Sequence, residues 1–132
     1  MKKFKNDLAE VWFEDGILFL KFQKDTILDL ETMKQTIALR DKFTVDENKY
    51  VLVDISNLKS LNNEARLYGS INGHKLMYAC AVLVNSYFTK FLFMSYIKFS
   101  KPNVPFVFFT SKEKAIEWLN ELKSQYLLRQ ST

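Results

Sequence analysis

Three side chains are best placed to do chemistry, His74, Cys80 and Asp54, and each stands apart from the partners that chemistry needs. His74 is the only histidine, so any Ser-His-Asp triad would have to use it, and it follows Gly73 in an expected loop. Zinc sites need clustered Cys and His, which the chain lacks. Cys80 lies inside the apolar run 76–84 and reads as a small buried hydrophobe. Gly16, Gly69 and Gly73 are too scattered for a phosphate loop or a dinucleotide fingerprint. The pairs Glu14-Asp15 and Asp46-Glu47 fall in turns and read as solvated. Asp54 is the strongest single candidate, because it ends an apolar strand on the carboxyl edge where open α/β sheets bind ligands. A phospho-accepting receiver domain also carries an Asp there, with an acidic pair after its first strand and a Lys after its fifth. Gln23-Lys24-Asp25 and Thr110-Ser111-Lys112 match that pattern poorly. The structural alternative has Asp54 hydrogen-bonding the following turn through Ser56 and Asn57. No enzymatic activity, cofactor or metal is expected.

The elements that must position these residues are legible from patterning. Asp15-Gly16 between two apolar stretches predicts a hairpin of residues 11–14 and 16–22. Residues 26–43 read as a helix with Leu30, Met33, Ile37 and Ala38 on one face. Residues 50–55 predict a strand, 62–72 a helix closed by Gly73, and 76–84 another strand. Asn85 or Ser86 can cap a third helix reaching about Phe99. After a loop at 100–103, residues 104–109 form a closing strand that runs straight into a last helix. Thr110 and Glu113 have the spacing of a capping box. Ala115, Ile116, Trp118, Leu119 and Leu122 make the apolar stripe of that helix, and Trp118 is expected to anchor it on the closing strand. The order ββαβαβαβα predicts an α/β fold: a five-stranded mixed sheet, antiparallel at the hairpin and otherwise largely parallel, with about four helices. A single domain is expected, with its core at about 10–122 and a tail at 123–132.

Composition narrows the class. The chain has 132 residues, 15% of them aromatic, with 12 Phe and only 3 Gly and 2 Pro, which favours a packed core over disorder. No apolar segment follows the basic N-terminus as a signal peptide requires, and no run approaches the ~20 residues of a membrane span. A single cysteine excludes an intramolecular disulfide and fits a reducing cytoplasm. The net charge of +4 is uneven: residues 65–112 contain no Asp or Glu but carry Arg66, Lys75, Lys90, Lys98, Lys101 and Lys112. This implies either lysines filling sparse surface positions or a face that attracts an anion, an acidic protein or a lipid headgroup. The basic residues are too dispersed for nucleic acid.

The third predicted helix is apolar over more than one stripe. Phe88, Phe91, Leu92 and Phe99 point one way, and Phe93, Tyr96 and Ile97 lie well off it. A helix apolar most of the way round is buried, meets a partner, or contacts a ligand or membrane. Phe93, Tyr96 and Ile97 are therefore the candidate interface, most simply of a homodimer.

Three stretches carry a family resemblance over roughly residues 10–122. They are Val51-Leu52-Val53-Asp54-Ile55-Ser56-Asn57-Leu58; Ala81-Val82-Leu83-Val84-Asn85-Ser86 with the later Lys101-Pro102; and the join from Phe109 to Leu119. Together they resemble a STAS-like domain of the SpoIIAA-like branch, related in fold to CRAL-TRIO lipid-binding domains. In the anti-sigma-factor antagonists of that fold, a partner kinase phosphorylates a serine that opens the helix after the Asp-bearing strand. Here the matching stretch is Asn62-Asn63-Glu64-Ala65, without the serines and glycine. The resemblance thus implies a non-enzymatic regulatory module that works through an unknown protein partner, with Asp54, Asn62, Asn63 and Glu64 at the candidate switch edge. Glu64 there could imitate a phosphoserine charge. The lipid-binding relatives imply the alternative, a carrier or sensor of a small apolar or anionic lipid-like ligand.

Overall fold

The computed structural model describes residues 3–43, 49–72, 77–86 and 104–131. The hairpin forms where Asp15-Gly16 predicts it. β2 (Ala9–Glu14) and β3 (Ile17–Phe22) pair antiparallel. Asp15 and Gly16 both take positive φ, 52° and 80°, as a two-residue turn matched to strand twist requires. A Cβ at Gly16 would lie 2.1 Å from Lys123 Nζ, and that ammonium donates a hydrogen bond to the Asp15 carbonyl at 3.1 Å. The lysine tip is the free end of a flexible side chain and can give way, so it is the positive φ that selects glycine here.

The main sheet has six strands rather than the expected five. A short β1 (Lys3–Lys5) adds antiparallel to β2 at the edge. β5 (Lys49–Asp54), β7 (Met77–Leu83) and β8 (Phe106–Phe109) continue it in parallel beyond β3, giving the order β1-β2-β3-β5-β7-β8. A Lys-Phe-Lys edge strand of three residues is too short to show a period, and its lysines are suited to an unpaired edge.

The expected helix over 26–43 divides in two. Thr26, Ile27 and Leu28 alternate buried, exposed, buried as β4 (Thr26–Leu28), which pairs in parallel with β6 (Leu58–Leu61) as a separate two-stranded sheet. α1 (Leu30–Asp41) begins only after Asp29. Asp29 Oδ1 accepts the Thr32 backbone N–H at 2.9 Å, and the Thr32 hydroxyl accepts the Asp29 N–H at 2.8 Å, a capping box that the sequence pattern alone does not single out. The Thr32 N–H and hydroxyl hold the Asp29 carboxyl below the usual carboxylate range. The face of α1 also differs from expectation. Thr36, Leu39 and Arg40 are buried, Met33 packs against the core, and Ala38 is exposed.

α2 (Asn63–Asn72) and α3 (Lys112–Ser131) complete the three helices among the described residues. Residues 87–99 of the predicted third helix, with Phe93, Tyr96 and Ile97, and His74 as well lie outside them. Residues beyond 122, expected as a tail, continue α3 to Ser131. The cap of α3 is displaced by one residue from expectation: the Ser111 hydroxyl, not Thr110, accepts the N–H of Lys114 at 3.3 Å.

Two cores sandwich the sheet. On one face Val11, Leu18, Leu20, Val51, Cys80, Val82 and Phe108 meet Leu28 and Leu39, with α1 above them. On the other, Trp12, Ile17, Phe19, Tyr50, Leu52, Ala79 and Ala81 meet Ala115 and Leu119 of α3. Ala115 and Leu119 are fully buried. Trp118 is only half-buried, its ring 5.7 Å from that of Phe109 on the closing strand. β7 gives Ala79 and Ala81 to this core and Met77, Cys80 and Val82 to the other, so it is covered on both faces and reads as continuously apolar.

Candidate functional site

Asp54 ends β5 at the carboxyl edge, as expected. Its Oδ1 accepts both the backbone N–H of Ser56, at 2.9 Å, and the Ser56 hydroxyl. This closes the turn that carries the chain from β5 to β6. The Asn85 amide donates to the Ser56 carbonyl at 3.2 Å, and the Asn57 amide donates to the Phe22 carbonyl at 3.3 Å. The Ser56 half of the expected turn thus forms around Asp54, while Asn57 ties the same turn to β3 instead.

Asn62 is the N-cap of α2, its Oδ1 accepting the Ala65 N–H at 2.9 Å. Asn63 and Glu64 are exposed in the first turn, where a carboxylate meets the positive end of the helix dipole. Asn62 itself accounts for the polar residue at the helix start. These residues do not line the depression beside Asp54.

Cys80 is 1% exposed. Burial pushes its thiol up to about 12, with the charge of Arg40 opposing only part of that rise. A thiol so placed supplies no thiolate at neutral pH.

The structure brings together residues that the sequence leaves apart. A depression of about 220 Å³ opens on the α3 side of the sheet, with Trp12, Phe19 and Leu52 at its base and Lys3, Glu10, Lys21, Asp54 and Lys112 around it. Asp54 and Lys112 therefore share one site, although no acidic pair accompanies them in its lining. Trp12 and Phe19 are cross-strand partners with parallel rings, 5.2 Å between centroids and 4° between planes. Lys3 Nζ stands 4.5 Å from the Trp12 centroid and Lys112 Nζ 5.6 Å from that of Phe19, within cation–π range.

Strand register builds this site in rows. One row across β1, β2, β3 and β5 reads Lys3, Trp12, Phe19, Leu52. The row two residues nearer the carboxyl edge of β3 and β5 reads Lys5, Glu10, Lys21, Asp54. The Trp12–Phe19 and Glu10–Lys21 pairings were accessible from sequence, because a two-residue turn at Asp15-Gly16 dictates which residues face each other across the hairpin. The other neighbours are set by a parallel pairing and by an edge strand.

Geometry and topology together define a SpoIIAA-like α/β domain. A crystal structure from Shewanella loihica PV-4, an uncharacterised DUF3478-family protein described as having a SpoIIAA-like fold, superposes with a TM-score of 0.62 at 18% identity, covering 84% of this chain and 91% of that one. The chain belongs to the family described as Domain of unknown function (DUF7793), whose model matches residues 11–123. A protein with unknown function from Arthrobacter sp. FB24 is 21% identical over 83% of this chain and 97% of its own, at a TM-score of 0.33. No curated protein matches the chain. Among the described residues no helix is long and apolar enough to cross a membrane.

Proposed function

We propose that this chain is a non-enzymatic regulatory module that acts through protein contacts, self-association included, in the cytoplasm. The observation that carries this reading is that, among the described residues, the candidate side chains are committed to structure: Asp54 closes a turn, Asn62 caps a helix, and Cys80 is sealed in the core with a raised pKa. At the place corresponding to the phosphorylatable serine of the anti-sigma-factor antagonists, the chain offers an exposed first turn containing Asn63 and Glu64. That turn is a surface a partner can read without a phosphate. The SpoIIAA-like fold supports the reading, and the resemblance to lipid-binding domains noted in the sequence supplies its competitor.

The depression beside Asp54 is not itself built for a lipid. It is smaller than the ~300–1,000 Å³ of ordinary ligand pockets and is ringed by charged side chains, whereas an acyl chain needs a closed apolar lining. Native mass spectrometry of protein purified from its own host tests the two readings. Complexes of this chain with itself or with another protein, and no small-molecule mass, are expected. A stoichiometric lipid on an otherwise single chain would overturn the module reading.

A further inference from the structure

We propose that the depression between the first turn of α3 and the carboxyl ends of β3 and β5 binds a small zwitterion of amino-acid size. Five charged side chains line it, Lys3, Lys21 and Lys112 of one sign and Glu10 and Asp54 of the other. They reach it from five elements, β1, β3, α3, β2 and β5. Among the described residues no ion pair within 4.0 Å joins any two of them. Asp54 uses its Oδ1 to close the Ser56 turn, which leaves its Oδ2 as the free acceptor. Charges of both signs thus share one depression without neutralising one another directly.

The lining selects the class of ligand. Trp12 and Phe19 at the base are 6% and 5% exposed, packed with Ala115 and Leu119 and covered by Lys3 and Lys112. No aromatic face is therefore free to stack a planar ring. The volume of about 220 Å³ falls below the ~300 Å³ at which pockets for larger ligands begin, and it suits a solute of a few heavy atoms. A simple anion would meet repulsion from Glu10 and Asp54, and a simple cation would meet repulsion from the three lysines. A solute with a carboxylate and an ammonium a few ångströms apart satisfies both sets. Its carboxylate accepts from Lys21 and Lys112, and its ammonium donates to Glu10 and to Asp54 Oδ2. The place also fits, because open α/β sheets take ligands outside the carboxyl ends of their strands.

Heteronuclear NMR of the nitrogen-labelled chain at neutral pH tests the inference. The reporters are the backbone N–H groups of Glu10, Lys21 and Asp54 and the indole N–H of Trp12. Each standard free L-amino acid is titrated singly. At least one should give saturable shifts centred on these groups, with a Kd of ~1 mM. The N-acetyl derivative of that amino acid lacks the cation, and its amide lacks the anion; each should bind at least ~fivefold more weakly, because one end of the solute loses its charged partners. Lys21→Gln and Glu10→Gln should both weaken binding about threefold or more, whereas Lys34→Gln, on α1 over the opposite face, should leave it unchanged. The sign of the Glu10→Gln effect separates the classes, since removing a carboxylate from a plain anion site would tighten binding. Circular dichroism confirms that the variants fold, and the comparison of an amino acid with its two derivatives uses the wild-type chain alone. No saturable shift from any amino acid at ~20 mM, an N-acetyl derivative that binds as well as its parent, or tighter binding by Glu10→Gln would overturn this site. None of these results touches the protein-contact reading, which fails on a bound lipid; a solute held this weakly leaves the chain before its mass is recorded.

Discussion

Replacing Leu119 by Ala isolates the docking of α3 on the sheet. Leu119 is fully buried, in one cluster with Tyr50, Leu52, Ala79 and Ala81. Its truncation removes about three methyl(ene) groups from a cluster that includes two strand alanines, Ala79 and Ala81, which have little side chain to refill the space. Leu-to-Ala changes at such sites cost about 3–5 kcal/mol, with the upper half expected where collapse is restricted. Unfolding entropy of about 2.1 cal/mol/K per residue comes to roughly 0.28 kcal/mol/K for a chain of this length, so a loss of ~4.5 kcal/mol lowers Tm by about 16 °C. The assay is a thermal melt followed by circular dichroism, with Leu127→Ala as the internal control. Leu127 lies on the same helix at 59% exposure, and its truncation should stay within about ±0.5 kcal/mol, or ~2 °C. A Leu119→Ala shift as small as that of the control would refute the docking of α3 described here.

Trp118 is half-buried rather than enclosed, so Trp118→Ala should cost roughly half of the ~3–5 kcal/mol expected for a core aromatic, or about 6–8 °C in Tm; a loss equal to that of Leu119→Ala would place Trp118 deeper than the structure does. Asn62→Ala removes the N-cap of α2 and should cost about 1 kcal/mol, ~4 °C, while Asn62→Asp should retain most of the stability; equal losses for the two in the same melt would argue against the cap. The Cys80 thiol should be inert to a thiol reagent at pH 8 until the chain is unfolded by denaturant, and labelling at the native rate of an exposed cysteine would contradict its burial. Because the folded pKa of Cys80 is raised from 9.0 to about 12, its contribution to stability is complete below pH ~9 and is lost as pH climbs toward ~12; denaturant melts of Cys80→Ala should show a shallower alkaline decline than wild type.

Local chemistry decided much of this protein. The Asp15-Gly16 hairpin was legible because a two-residue turn needs positive φ, and few other residue pairs supply it. The apolar runs at 50–55 and 76–84 could only be strands covered on both faces, and the stripe from Ala115 to Leu122 could only face a core. The turn-closing role of Asp54 and the burial of Cys80 followed from their immediate neighbours. The helix start at Asp29 is hidden in the sequence because the period-3.6 pattern extends backward through Thr26-Ile27-Leu28, whose alternation becomes visible only once β6 lies beside it. The face of α1 is misplaced by the same shift of reference. What tertiary structure alone decided is the juxtaposition of distant residues: Lys5, Glu10, Lys21 and Asp54 in one row, Lys3 and Lys112 over stacked aromatic rings, and the depression among them. Local propensity acts over a few residues. Which charge faces which is set by strand order and register, and these depend on the packing of the whole sheet against its helices.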